Sequence, residues 1–204
     1  MSLQAATPRL VLASASAARR ALLAAAGVAC EIMPSGVDEV ALKAVGHAEE
    51  ASPDAVALML AGAKARAVAR RNPDALVIGS DQILVCGETW FDKPADRDEA
   101  RAHLRRLRGQ THVLHTAVVC RRGGAMLFQH VARPALTMRA FSDAFLETYL
   151  DLEGTNVTAS VGAYRLEGPG VHLFARIEGE QAAILGLPML ALLEFLRTTG
   201  VLAD

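Results

Sequence analysis

The run LVLASASAARR, Leu10 to Arg20, leaves an apolar segment through two serines and enters a helix-like stretch with two adjacent arginines. The hydroxyls of Ser14 and Ser16, the backbone N–H groups of the turn and the positive end of a helix all favour an anion there. Arg19 and Arg20 add full charges. The combination reads as an anion or phosphate site, or more plainly as a serine-capped helix with solvated arginines. It is not a Walker loop, because GxxxxGK[ST] does not occur. In VIGSDQILV, Asp81 and Gln82 stand between two apolar runs, where the end of a strand is expected. A carboxylate there must be paired, solvated or bound to metal, so Asp81 is a candidate general base or metal ligand, or else a turn cap.

Other segments add charges of the same kind. DKPAD places Lys93 before a proline, on extended backbone one short segment after Asp81. VDE supplies Asp38 and Glu39 in what reads as a loop. Paired acids in a loop are either solvated or hard oxygen ligands of the sort Mg²⁺ takes beside waters and phosphates. Lys64 lies in LAGAKARAVARR, a helix of small residues that another element can approach closely. It either points into a cleft or snorkels to the surface. VGAYRLEGPG sets Glu167 among Gly162, Gly168 and Gly170, a composition that lets backbone wrap closely around something. His112 and His115 lie three apart in a predicted strand, face opposite ways and read as structural.

The elements that must position these groups follow from punctuation and periodicity. Residues 9–13 read as a strand and 17–26 as a helix stopped by Gly27. Residues 31–33 form a short second strand. Ser52-Pro53-Asp54 is a helix start, with a cap, a proline at the first position and an acid in the first turn. It opens a long Ala-rich helix ending near Asn72-Pro73. Residues 75–79 read as a buried strand. Asp96 and Glu99 open a helix to Leu107 in the manner of a capping box. Residues 111–120 and 126–138 read as two longer strands joined through Arg122-Gly123-Gly124. Ser142 caps another helix, 171–177 reads as a strand, and Pro188 starts a final amphipathic helix. Alternating strands and helices followed by consecutive strands predict an α/β fold with a mixed, twisted sheet flanked by helices. No internal repeat or linker divides the chain, so a single domain over 1–204 is expected.

Composition narrows the function classes. The 204 residues are 52% hydrophobic and 21% charged, with net charge −1, so no general nucleic-acid or membrane-surface binder is indicated. Cys30, Cys86 and Cys120 show neither CxxC nor zinc spacing and read as small hydrophobes in a reducing compartment. No stretch reaches the roughly 20 apolar residues of a membrane span. The arginines at 19 and 20 interrupt any signal-peptide core. A soluble, cytoplasmic protein is expected.

The segments LASASAARRALLAAAGV, VDE, LAGAKARAV, VIGSDQILV, DKPADRDEARAHLRRLRGQTHVLHTAVV, VGAYRLEGPGVHLFARIEG and LGLPMLALLEFL occur in that order. Taken together they resemble the Maf-like nucleoside triphosphate pyrophosphatases, from Leu10 to about Arg197. The resemblance implies a fold similar to the inosine triphosphate pyrophosphatases, two lobes with a cleft, often as a homodimer. It implies metal-dependent hydrolysis of a nucleoside triphosphate to a monophosphate and pyrophosphate, with Mg²⁺ or Mn²⁺. Asp81 matches the catalytic acid that activates water. Ser14, Arg19, Glu39, Lys64 and Lys93 match polar cleft positions, with Glu39 and Asp81 the implied metal ligands.

Within the family, base choice tracks three positions, occupied here by Ala18, Gln82 and Glu167. Gln82 and Glu167 match the 7-methyl-GTP type, and none of the three matches the dTTP/UTP type. A carboxylate can accept from both guanine N1–H and the exocyclic amine, whereas uracil and thymine offer one donor flanked by carbonyls. Ala18 departs from the aromatic expected in the methylguanine type. A modified guanine nucleotide is therefore the expected substrate, with dTTP/UTP hydrolysis the alternative. A non-catalytic nucleotide-binding regulator of cell division is the alternative of another class.

Overall fold

A computed structural model describes residues 3–203. In chain order the elements are β1 (Leu10–Leu12), α1 (Ala17–Ala25), β2 (Glu31–Ile32), α2 (Glu39–Ala48), α3 (Pro53–Ala69), β3 (Leu76–Cys86) and β4 (Thr89–Phe91). There follow α4 (Arg97–Leu107), β5 (Thr111–Arg122), β6 (Ala125–Ala132), β7 (Ala135–Met138), α5 (Asp143–Glu153), β8 (Phe174–Glu178), α6 (Gln181–Ile184) and α7 (Met189–Thr198). The chain divides into two compact units. The first comprises the chain up to Gln82, Thr116–Ala132 and the chain from Glu180. The second comprises Ile83–His115 and Arg133–Gly179.

In the first unit, β1 pairs in parallel with β2 and with β3, and β5 pairs antiparallel with β6. The mixed α/β architecture is the one read from the sequence. Alternation along the strands divides their side chains between two faces. Leu10, Leu12, Leu76 and Ile78 face one way and join Leu23, Val118, Leu187, Leu192 and Leu196 in a buried core. On the other side lies α3, capped by Ser52, whose Oγ accepts from Ala55 N. Its buried residues, Val56, Ala57, Leu60, Ala61, Lys64, Ala65, Val68 and Ala69, recur every four positions as one stripe of mostly small side chains. That stripe packs against β3 at Gly79. A Cβ placed on Gly79 would come within 2.2 Å of Ala61 O and 2.9 Å of Ala65 Cβ. Small-on-small contact thus sets the distance between helix and strand.

In the second unit, β4 pairs antiparallel with the end of β3, β7 with the start of β5, and β8 with β7. Helices α4 and α5 are joined through Glu147, which accepts from Arg101 Nε at 2.5 Å and from Arg101 Nη2 at 3.0 Å. His112 is buried, with Nε2 2.8 Å from Tyr164 Oη, and Phe174 packs beside both rings.

Four sequence-based expectations change. Strand β3 runs to Cys86, so Asp81 and Gln82 are mid-strand; a paired carboxylate need not end a strand. Asp38 and Glu39 are not in a loop: Asp38 caps α2, its side chain accepting from Ala41 N, and Glu39 is the first helical residue. The expected strand over 126–138 is two strands, β6 and β7, divided at Pro134, which has no N–H for a ladder. The start of the expected 171–177 strand is a 3₁₀ turn, Pro169–Leu173, and extended pairing begins only at Phe174.

Candidate active site

Strand β3 carries the site because its neighbouring residues face opposite ways. Asp81 follows Gly79 by two residues and points to the same face. Lys64 lies one helical turn after Ala61 on the buried stripe of α3. The close approach at Gly79 therefore delivers a lysine to the carboxylate. Lys64 Nζ is 2.5 Å from Asp81 Oδ1, and both residues are buried, at 5% and 4% exposure. The same Nζ is 2.8 Å from Glu39 Oε1. Glu39 is half exposed at the start of α2. One ammonium is thus held between two carboxylates, the buried one from a strand and the open one from a helix start.

Ser14, Ser16 and Arg19 form a second arm in the same unit. Ser16 caps α1, its Oγ accepting from Arg19 N at 3.4 Å. Ser14 Oγ accepts from Ser16 N at 3.2 Å and from Arg19 Nη1 at 3.1 Å, which leaves its own proton to donate. Arg19 Nε donates to Gly186 O at 2.7 Å. Burial draws the Arg19 guanidinium below its ordinary pKa, and the negative charges of Asp81 and Glu39 oppose that shift. Arg19 stays cationic, because its ordinary value lies far above neutrality. Ala18 is half buried beside it on α1, and Arg20 is exposed.

Gln82 does not face Asp81. Its Nε2 lies 2.8 Å from Thr116 Oγ1, 3.0 Å from Ala183 O and 3.1 Å from Ile184 O, on the core face of β3. With the amide nitrogen committed, the carbonyl oxygen is the group Gln82 can offer a ligand. The sequence reading missed Ser80, which is fully buried, its single hydroxyl proton shared between Ala117 O at 2.7 Å and Gly186 O at 2.8 Å. A hydroxyl inside the apolar run VIGSDQILV was the available signal, since a buried polar group must find a partner.

Lys93 and Glu167 belong to the second unit. Lys93 is exposed between β4 and α4, ahead of the buried Pro94. Glu167 is exposed on a turn in which Gly168 N donates to Arg165 O at 3.3 Å. Arg165 Nε and Nη2 anchor that turn on Glu153 Oε2 at 3.0 and 2.9 Å.

A closed protein cage for a metal is absent: among the described residues no group of three or more His, Cys, Asp or Glu could hold an ion. Asp81 and Glu39, which meet at the Lys64 ammonium, are donors of the kind Mg²⁺ takes, one or two carboxylates with the shell completed by water and substrate phosphate. No helix among the described residues is long and apolar enough to cross a membrane.

Comparison with known proteins is consistent along the chain. The sequence model of the family described as "Maf-like protein" matches residues 9–199, which takes in residues of both units. A nucleoside triphosphate pyrophosphatase of Granulibacter bethesdensis is 53% identical over 189 residues, covering 93% of this chain and 96% of the relative. One of Rhodospirillum rubrum is 52% identical over 195 residues, covering 96% of each. A 7-methyl-GTP pyrophosphatase of Rhizobium etli is 48% identical over 196 residues, covering 96% of this chain and 98% of the relative. With half of all residues shared across nearly the full length, and the motif-bearing segments inside the matched span, the chain belongs to the Maf-like protein family.

Proposed function

We propose that this protein hydrolyses a nucleoside triphosphate between its α- and β-phosphates, releasing a nucleoside monophosphate and pyrophosphate, and that its preferred base is a modified guanine such as 7-methylguanine. The observation that carries the reaction class is Lys64 held between Asp81 and Glu39, in the same unit as Arg19 braced on Ser14. A polyphosphate needs cations along its oxygens and a carboxylate beside attacking water, and both are present.

Asp81 is the general base. Lys64 occupies its Oδ1, which leaves Oδ2 to accept a proton from water. Lys64 balances the negative charge that grows on the leaving pyrophosphate, while Arg19 binds the phosphate oxygens of the substrate and Ser14 and Ser16 offer them hydroxyls. Glu39 and Asp81 would hold Mg²⁺ or Mn²⁺ with the substrate's own phosphate oxygens. Such an ion, when bound, neutralises phosphate charge.

The base preference rests on the Glu167 carboxylate, which can accept from two adjacent N–H donors. A guanine edge presents two adjacent N–H donors, N1 and the exocyclic amine. Uracil and thymine present one donor between two carbonyl oxygens, which a carboxylate repels. The 7-methyl-GTP pyrophosphatase names among relatives of similar identity support the same choice. A nucleotide panel with Mg²⁺ and pyrophosphate detection tests both parts. The expected result is the highest kcat/KM on 7-methyl-GTP. Faster UTP or dTTP turnover would replace the base assignment, and tight binding with no pyrophosphate release would replace the enzyme.

A further inference from the structure

We infer that Ser80 is a positioning residue for Arg19, acting through the carbonyl of Gly186. This rests on the reading of Arg19 as a phosphate contact. Ser80 is fully buried and immediately precedes Asp81, so it projects to the opposite face of β3. Its hydroxyl lies 2.8 Å from Gly186 O, and Arg19 Nε lies 2.7 Å from the same oxygen. Gly186 is held at φ +104°, a conformation open to glycine and strained for other residues. A Cβ there would stand 3.1 Å from Arg19 Nε and 3.4 Å from Nη2. The turn is therefore bare on the side that the Nε edge of the guanidinium approaches.

These contacts fix Arg19 at two points, Nε on Gly186 O and Nη1 on Ser14 Oγ. Nη2 takes part in neither of these two contacts. The carbonyl can aim Arg19 only if it is itself fixed, and the single proton of Ser80, shared between Gly186 O and Ala117 O on β5, ties it to the sheet. Ser80 and Asp81 thus organise the two arms of the site from opposite faces of one strand: the first holds the cation for phosphate, the second holds Lys64 and Glu39. A side chain that touches neither substrate nor metal sets the geometry of one that does.

The test is a set of kinetic variants with the nucleotide substrate and Mg²⁺: Ser80→Ala, Ser80→Thr, Arg19→Ala and the Ser80→Ala/Arg19→Ala double variant. Ser80→Ala is expected to raise KM roughly fivefold, the worth of one ordinary hydrogen bond, with kcat little changed. Ser80→Thr, which keeps the hydroxyl, should restore most of that loss. In the double variant Ser80→Ala should add no further rise, because its effect runs through Arg19. If Ser80→Ala raises KM equally with and without Arg19, or lowers kcat instead, Ser80 acts by another route and the inference falls. If Arg19→Ala leaves KM unchanged, the phosphate role of Arg19 itself is wrong and the inference falls with it. Should Ser80→Ala prove too unstable, Gly186→Ala gives the same reading: a KM rise that vanishes in the Arg19→Ala background supports the pivot, and one that persists overturns it.

Discussion

Lys64 Nζ lies 2.5 Å from Asp81 Oδ1 because no side chain stands at Gly79, two residues earlier on the same face of β3. The helix that carries the lysine can rest on the strand backbone, and half of its buried stripe is alanine. A charge pair buried this deeply is costly to desolvate and is kept only with close geometry and a further partner. Glu39 is that partner, and its open position joins the buried pair to solvent.

Gly79→Ala tests the origin of that contact. The added methyl would sit 2.2 Å from Ala61 O, which is backbone and cannot rotate away, so α3 must shift. A loss of about 1–3 kcal/mol of stability is expected, as for other overpacked cores. Chemical denaturation measures the loss. Turnover should fall in the folded variant as well, since Lys64 moves with the helix.

Asp81→Asn removes the proton acceptor while nearly conserving shape. Lys64 keeps Glu39, so folding is retained. A fall in kcat of about 100-fold or more is expected, with nucleotide affinity held within a few-fold. Pyrophosphate release and calorimetric binding measure the two quantities separately. Lost affinity with residual chemistry intact would contradict the base assignment.

Glu167→Gln probes base reading without moving charge at Arg19 or Lys64. The turn that bears it is anchored by Arg165 on Glu153, neither of which changes. The ratio of kcat/KM for 7-methyl-GTP over UTP is expected to fall by roughly 10-fold, the scale of losing one of two paired contacts to a base edge. An unchanged ranking across the nucleotide panel would remove Glu167 from base recognition.

His112 predicts a pH dependence of stability. Burial lowers its pKa from the ordinary 6.5 to about 4. Between those values the unfolded chain binds a proton that the folded chain does not, so stability rises with pH and is lost as pH falls from about 6.5 toward 4. The span corresponds to about 3 kcal/mol. His112→Leu should flatten this slope while costing some stability at neutral pH, because Tyr164 Oη loses its partner. Melting temperatures at pH 4.5 and 7.5 for both proteins give the comparison.

The sequence alone determined the local starts and stops and the inventory of charges. Ser16, Ser52, Asp96 and Ser142 act as helix caps because each accepts from a backbone N–H three residues on, an interaction contained within the local chain. The identity of Asp81, Lys64, Glu39 and Arg19 as one constellation was legible through their residue types and motif order. Tertiary structure decided which of them meet. Whether Lys64 snorkels or is buried turns on a contact between residues 61 and 79, and whether Gln82 offers a donor or an acceptor turns on carbonyls a hundred positions away. Ser80 became functional only through a turn at Gly186. Period and capping are short-range properties written in consecutive residues, whereas the partner of a buried polar group is set by which backbone is packed against it.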